Sequence, residues 1–342
     1  MMRNIYFILF GSISLMLASL SNAAELNEAP QVKISNGLVT AKVLIPDPEN
    51  GYYRGTRFDW SGAISSLRYK GHEYFGSWTD TAEKYNEIVG PAESFTANDQ
   101  VLGYKAAKVG ETFMRIGVGL CEKPDEDKYK WSRIYKIVDH GQWTVKQAQN
   151  WVEFTHTLSD GKGYAYRYTK RLTLTKGKAE LVLSHSLTNT GEQEIKTEVF
   201  NHNFFVIDGR PSGPEFEIKF PFSLTATRAD LKGRISIEGN TIQYPQVLKN
   251  GMNGMIGTGL KGFGAGIDDN AFQIVNKMTG AGVSAKIDQP LRKLFFWTME
   301  NTICPEPYIY MQIKPGGTHT WNTEYTFFEE KTAHNDHHTT EL

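Results

Sequence analysis

Tyr164-Ala165-Tyr166-Arg167-Tyr168-Thr169-Lys170-Arg171-Leu172-Thr173-Leu174 alternates with a period of two. Tyrosines and leucines fall on one face and smaller or polar residues on the other, the side-chain pattern of a half-buried β-strand. The next run repeats it with Leu181, Leu183, His185 and Leu187, and Asn189-Thr190-Gly191-Glu192 then makes a turn. Working outward, short extended runs separated by turn residues occur at 38–45, 63–69, 151–157, 164–175, 180–187, 195–205, 215–220, 234–242, 271–275, 283–287, 293–298, 308–313 and 320–328. Such spacing predicts an all-β chain. A short helix fits at 79–89 and hardly elsewhere. No internal repeat and no composition break marks a linker, so residues 24–330 read as one domain of two packed sheets.

The first 23 residues have the pattern of a secretory signal. Arg3 supplies the positive charge, residues 5–20 are apolar, and Ser21-Asn22-Ala23-Ala24 offers small residues for cleavage. No later apolar run reaches the roughly 18 residues of a membrane span, and no cysteine near the cleavage region suggests lipid attachment. The expectation is a periplasmic or secreted protein without a membrane span. Residues 331–342, with His334, His337 and His338, read as a flexible tail rather than a metal site. A formal charge of −1 argues against nucleic acid or an anionic membrane as partner, since both demand a cationic surface. Cys121 and Cys304 allow one disulfide or two buried thiols.

Three stretches could carry chemistry. In Thr197-Glu198-Val199-Phe200-Asn201-His202-Asn203-Phe204-Phe205-Val206-Ile207-Asp208-Gly209, the polar pair Asn201-His202 interrupts an apolar strand. Such a pair must be hydrogen-bonded, or each unpaired group costs about 1–3 kcal/mol. His202 is then either a core histidine held by a backbone carbonyl or a proton-transfer group facing a cleft. In Trp297-Thr298-Met299-Glu300-Asn301-Thr302-Ile303-Cys304-Pro305-Glu306-Pro307-Tyr308, two prolines fix the backbone around Glu306 and forbid helix. Glu306 is either an ordinary turn residue or a rigidly presented carboxylate. In Gly264-Ala265-Gly266-Ile267-Asp268-Asp269-Asn270-Ala271-Phe272, two acids stand at the mouth of a strand. Glu198 and His202 share a strand face but are separated by about 13 Å, too far for a dyad.

The order Asn201-His202 before aromatic residues, Asp269-Asn270-Ala271-Phe272, Phe295-Phe296-Trp297-Thr298, Glu306, and Lys314-Pro315-Gly316-Gly317 before a last aromatic strand resembles galactose mutarotase and its aldose 1-epimerase relatives. The resemblance implies a large twisted β-sandwich with few short helices and a sugar cleft on its concave sheet. By the same carry-over, His202 is the general acid on the ring oxygen, Glu306 the base on the anomeric hydroxyl, and Asp269 the carboxylate that grips a sugar hydroxyl. Asn201, Arg57, Glu93, Glu198 and Trp297 join them as candidate substrate contacts. Interconverting anomers needs one acid and one base, expected on opposite sides of the sugar across one open groove, and no metal or other cofactor.

The chain also departs from that family, whose members carry a further histidine upstream in a glycine-rich stretch. The comparable Gly90-Pro91-Ala92-Glu93-Ser94-Phe95 has none, while Arg57 is a candidate for the family's arginine. The leading expectation is an exported mutarotase acting on a free sugar or an oligosaccharide reducing end, as a monomer or weak dimer. The alternatives are a non-catalytic carbohydrate-binding protein, with Trp60, Trp78, Trp131 and Tyr53 stacking on sugar rings, and a glycan lyase or hydrolase on the same fold.

Overall fold

The alternation at Ala165–Leu174 forms a strand in which Tyr166, Tyr168, Lys170, Leu172 and Leu174 are buried. Trp151–Ser159 and Glu180–Asn189 flank it, both antiparallel. A computed structural model describes residues 26–79, 85, 87–95 and 101–331 of the chain. The signal-like segment, the tail histidines and most of the helix expected at 79–89 lie outside the described residues.

The structure is nearly all β. The ten-stranded sheet runs, in spatial order, Ser236–Glu238, Thr241–Gln243, Phe216–Lys219, Ala271–Asn276, Ala281–Ile287, Thr318–Glu329, Glu180–Asn189, Ala165–Leu174, Trp151–Ser159 and Gln142–Ala148. The six-stranded sheet runs Thr225–Ala226, Ile256–Lys261, Lys293–Met299, Thr302–Ile313, Ile195–His202 and Ala92–Phe95. Smaller sheets of four and three strands accompany them. The named helical elements are two 3₁₀ turns, Gly251–Gly254 and Ile267–Asp269. Among the described residues no helix is long and apolar enough to cross a membrane.

The two large sheets pack face to face because each strand gives alternate side chains to the space between them. Phe154, Leu172, Leu181 and Leu183 from one sheet meet Ile256, Leu294, Phe296 and Ile303 from the other. Further along, Tyr166, Tyr168, Leu187 and Trp321 meet Val199, Ile309, Met311 and Ile313. Each fully buried side chain of this kind contributes roughly 1.5–3 kcal/mol.

Several boundaries differ from the sequence reading. The run at 234–242 is two strands, turned at Gly239, whose φ of 60° suits a residue without a Cβ. The run at 195–205 stops at His202, because Phe204 takes a left-handed φ of 44°. The strand expected at 308–313 begins at Thr302 and passes through both prolines. Cys121 and Cys304 are both buried free thiols.

The tyrosine-leucine face also holds a charge. Lys170 is 0% exposed and sits across the ladder from His185. Its ammonium bonds to the Glu93 carboxylate, donates to the Ser61 carbonyl at 2.7 Å and lies 3.3 Å from Asp59 Oδ2. His185 Nε2 lies 3.0 Å from Glu93 Oε1. Glu93 therefore belongs to a buried ionic cluster between the sheets, because an acid on this inward face needs a cation to offset its lost hydration.

Candidate active site

The geometry of the site follows from one register. The Ile195–His202 strand pairs antiparallel with Thr302–Ile313, from Ile195 opposite Ile313 to Phe200 opposite Tyr308. An isolated bridge farther on joins Phe205 to Ile303. Both belong to the same register, so counting two residues on from Phe200 and two back from Tyr308 sets His202 across from Glu306. Between these points the ladder lapses, and the prolines explain why. Ile303 exchanges both backbone hydrogen bonds with Phe205 at 3.2 Å. Residues 305 and 307 have the same parity and point the same way, but proline has no N–H to give.

The face opposite the intersheet core is a cleft of about 540 Å³. Three neighbouring strands contribute alternate residues to it: Lys293, Phe295 and Trp297, then Glu306 and Tyr308, then Glu198, Phe200 and His202. Arg57, Trp78, Trp131, Ser132, Phe204, Met252 and Met255 complete the walls. The size and mixture of aromatic walls with a few polar groups are those of a small-molecule site.

His202 is held by rings. Phe204 stacks on it at 3.6 Å between centroids and 8° between planes, with Phe58 and Trp297 edge-on at 5.8 and 5.2 Å. Its Nε2 lies 3.2 Å from Glu306 Oε1, and Tyr308 Oη donates to Glu306 Oε2 at 3.4 Å. Burial pushes the Glu306 carboxyl up to about 8, against the opposing pull of Lys293, the Tyr308 hydroxyl and Arg57. Burial, helped by the Arg57 guanidinium, holds His202 well below the ordinary imidazole range. Both shifts run towards the uncharged forms, a protonated Glu306 and a neutral His202. The other ring nitrogen of His202, Nδ1, is buried and has no hydrogen-bond partner among the described residues.

The other candidates divide sharply. Arg57 lies over Trp131 at 4.0 Å and lines the cleft, as do Trp297 and Glu198, the last with Arg292 at 3.5 Å. Asn201 is turned the opposite way by strand alternation and donates to Tyr325 Oη at 2.7 Å behind the sheet. Glu93, paired in register with Asn201, is likewise on the inner face. Asp269 ends a 3₁₀ turn leading into the ten-stranded sheet, accepts from the Gly264 N–H and does not line the cleft. Of the aromatic candidates, Trp78 and Trp131 line it, whereas Trp60 and Tyr53 are core residues. Sequence reading did not single out Tyr308, Lys293, Phe295 or Phe204. A period of two counted from Glu306 and Trp297 would have found the first three.

No protein-family model and no curated protein sequence matches the chain. Solved structures do match it. A galactose mutarotase-like protein from Clostridium acetobutylicum aligns with a TM-score of 0.56 over 89% of this chain and 97% of its own, at 13% identity. The chain has the galactose mutarotase fold. The GalM/aldose epimerase homologue from C. elegans gives 0.54 over 89% of this chain and all of its own, also at 13% identity. A putative aldose 1-epimerase from Escherichia coli K12 gives 0.53 over 88% and 99%, at 12% identity. Within this mutarotase-like sandwich, the His202–Glu306 pair sits on the six-stranded sheet.

Proposed function

We propose that the protein is an exported mutarotase that interconverts the α- and β-anomers of a free sugar or an oligosaccharide reducing end. The observation that carries this reading is the His202–Glu306 contact on the floor of an aromatic cleft. The two oxygens that exchange protons in mutarotation, O1 and O5, are bonded to the same carbon. The two groups stand side by side at 3.2 Å rather than on opposite sides of a sugar ring as the sequence reading expects, so the reading now requires both to act from one side of C1.

The directions of the two shifts support Glu306 as the first acid and His202 as the first base, the reverse of the roles implied by the family resemblance. Glu306 gives its proton to O5 while neutral His202 Nε2 takes the O1 proton. The C1–O5 bond breaks and an aldehyde forms at C1. Imidazolium and carboxylate then stand together as a balanced pair. Rotation about C1–C2 and return of both protons close the ring on the other face. Each group is typically worth about 10²- to 10⁴-fold. Trp78, Trp131 and Trp297 offer apolar faces to the sugar ring. Export is supported by the charged, apolar and small-residue pattern of residues 1–23.

Polarimetry of freshly dissolved α-sugars, screened across hexoses, pentoses, deoxysugars and uronic acids, tests the proposal. An unchanged rate with every sugar, alongside retention on a sugar column, would make the protein a binding module instead. The pH profile is a second expected outcome. Glu306 is protonated below about 8 and ionised above it, so the rate holds through neutrality and falls as the pH passes that value. A rate that climbs from neutrality into alkali would contradict the assignment of roles. Asp269, lying off the cleft, is expected to tolerate Asp269→Asn with less than about a twofold change in kcat/KM, in line with a surface change remote from the reacting atoms.

A further inference from the structure

The lapse in the ladder beside His202 and Glu306 raises a mechanical question. Residues 305 and 307 donate no backbone hydrogen bond to the neighbouring strand, so the pairing beside the two side chains is thinned. A chain of buried side chains behind the sheet supplies a tie. Tyr325, on the Thr318–Glu329 strand of the facing sheet, is 0% exposed. Its hydroxyl accepts from Asn201 Nδ2 at 2.7 Å and donates to Asn203 Oδ1 at 2.6 Å. Asn203 Nδ2 in turn donates to the Pro305 carbonyl at 2.6 Å. One hydroxyl thus holds both residues that flank His202, and one of these holds the residue before Glu306. Gly90 closes the arrangement, since a Cβ there would overlap the Asn203 carbonyl.

We propose that Tyr325, acting through Asn201 and Asn203, is the positioning residue that sets the His202–Glu306 separation across the proline gap. This rests on the mutarotase reading for its catalytic consequence, but the placement itself can be measured without sugar. A simpler role in stability alone does not explain why the bonds run to the neighbours of His202 and to the carbonyl that precedes Glu306. It also leaves Asn201 beside His202 without a reason. With the network, strand alternation points His202 into the cleft and Asn201 and Asn203 back to the anchor.

The test is Tyr325→Phe, which removes the hydroxyl and keeps the ring, with Asn203→Ala as a second variant that cuts the link to Pro305. Thermal melts establish that each is folded at the assay temperature. The expected result is a kcat lower by about 10²-fold, the usual effect of a misplacement of about 1 Å, with KM changed by less than about threefold. The alkaline limb of the profile should move to lower pH, because a loosened pair admits water to Glu306. Folded variants with unchanged kcat and an unmoved limb would overturn the proposal. If the wild-type protein shows no mutarotation, the functional reading fails and the placement is still decided by NMR titration of the His202 ring without sugar. A ring that titrates nearer the ordinary imidazole range in Tyr325→Phe supports the positioning role, and identical titrations refute it.

Discussion

Glu306→Gln is expected to reduce mutarotation by roughly 10²- to 10⁴-fold and, at the same time, to make the protein more stable at pH 8. The two effects share a cause. A buried carboxyl whose folded value stands at about 8 against an ordinary 4.5 is a group the fold prefers neutral. Below 4.5 both folded and unfolded chains hold the proton and nothing is lost. Between 4.5 and about 8 the unfolded chain ionises while the folded one does not, so stability declines across that window. At about 1.4 kcal/mol per pH unit, the interval sets an upper bound of about 5 kcal/mol. Glutamine keeps the shape and cannot ionise, so melts of wild type and variant should coincide near pH 4 and separate by pH 8, the variant melting higher. His202→Ala should abolish the same rate without this alkaline gain. Equal alkaline and acid differences for Glu306→Gln would show that Glu306 is not held neutral by burial.

Lys170→Met is expected to have the largest effect on folding, a loss of about 3–5 kcal/mol at neutral pH from breaking a buried ion pair on one side. Burial acts to raise Glu93, and the Lys170 ammonium with His185 outweighs it, holding the carboxyl at about 2. Asp59 is raised, burial being the main cause and Lys170 the main opposing influence. Removing the ammonium leaves two acids facing each other in the core. Because the Glu93 value is depressed on folding, its contribution is present above about 4.5 and is lost as the pH falls towards 2. The penalty of Lys170→Met should therefore be greatest at neutral pH and shrink in acid. Adding Asp59→Asn and Glu93→Gln to Lys170→Met should recover much of the loss, as measured by urea unfolding. A single variant as stable as wild type would show that the ammonium is not needed there.

The period-two pattern was enough to read the central strands, because Tyr166, Tyr168, Leu172 and Leu174 are buried on one side only and their alternation survives in the residue types. The same pattern concealed Lys170, since a charge inside a sheet is visible only when its partners from Asp59 and Glu93 are known. The strand carrying Glu306 runs further than the sequence pattern suggests, because proline is uncommon in a central strand. It is tolerated because one neighbour, Lys293–Met299, still pairs along its length while the other does without. His202 and Glu306 stand out in the sequence as residue types able to exchange protons, but their contact does not, since it depends on a register between segments about a hundred residues apart. Asp269, Asn201 and Glu93 had suitable residue types in suitable order, and neighbourhood in sequence said nothing about which face each would take.

Pro305 and Pro307 also bear on how this sheet could be altered. They turn its middle into a seam stitched by side chains, with rows of amide bonds intact on either side. The spacing of the two strands there depends on a few side-chain hydrogen bonds behind the sheet as well as on strand pairing. Remodelling the cleft is best begun away from that seam, at walls such as Trp131 or Met255, where a change of size leaves the side-chain stitches in place.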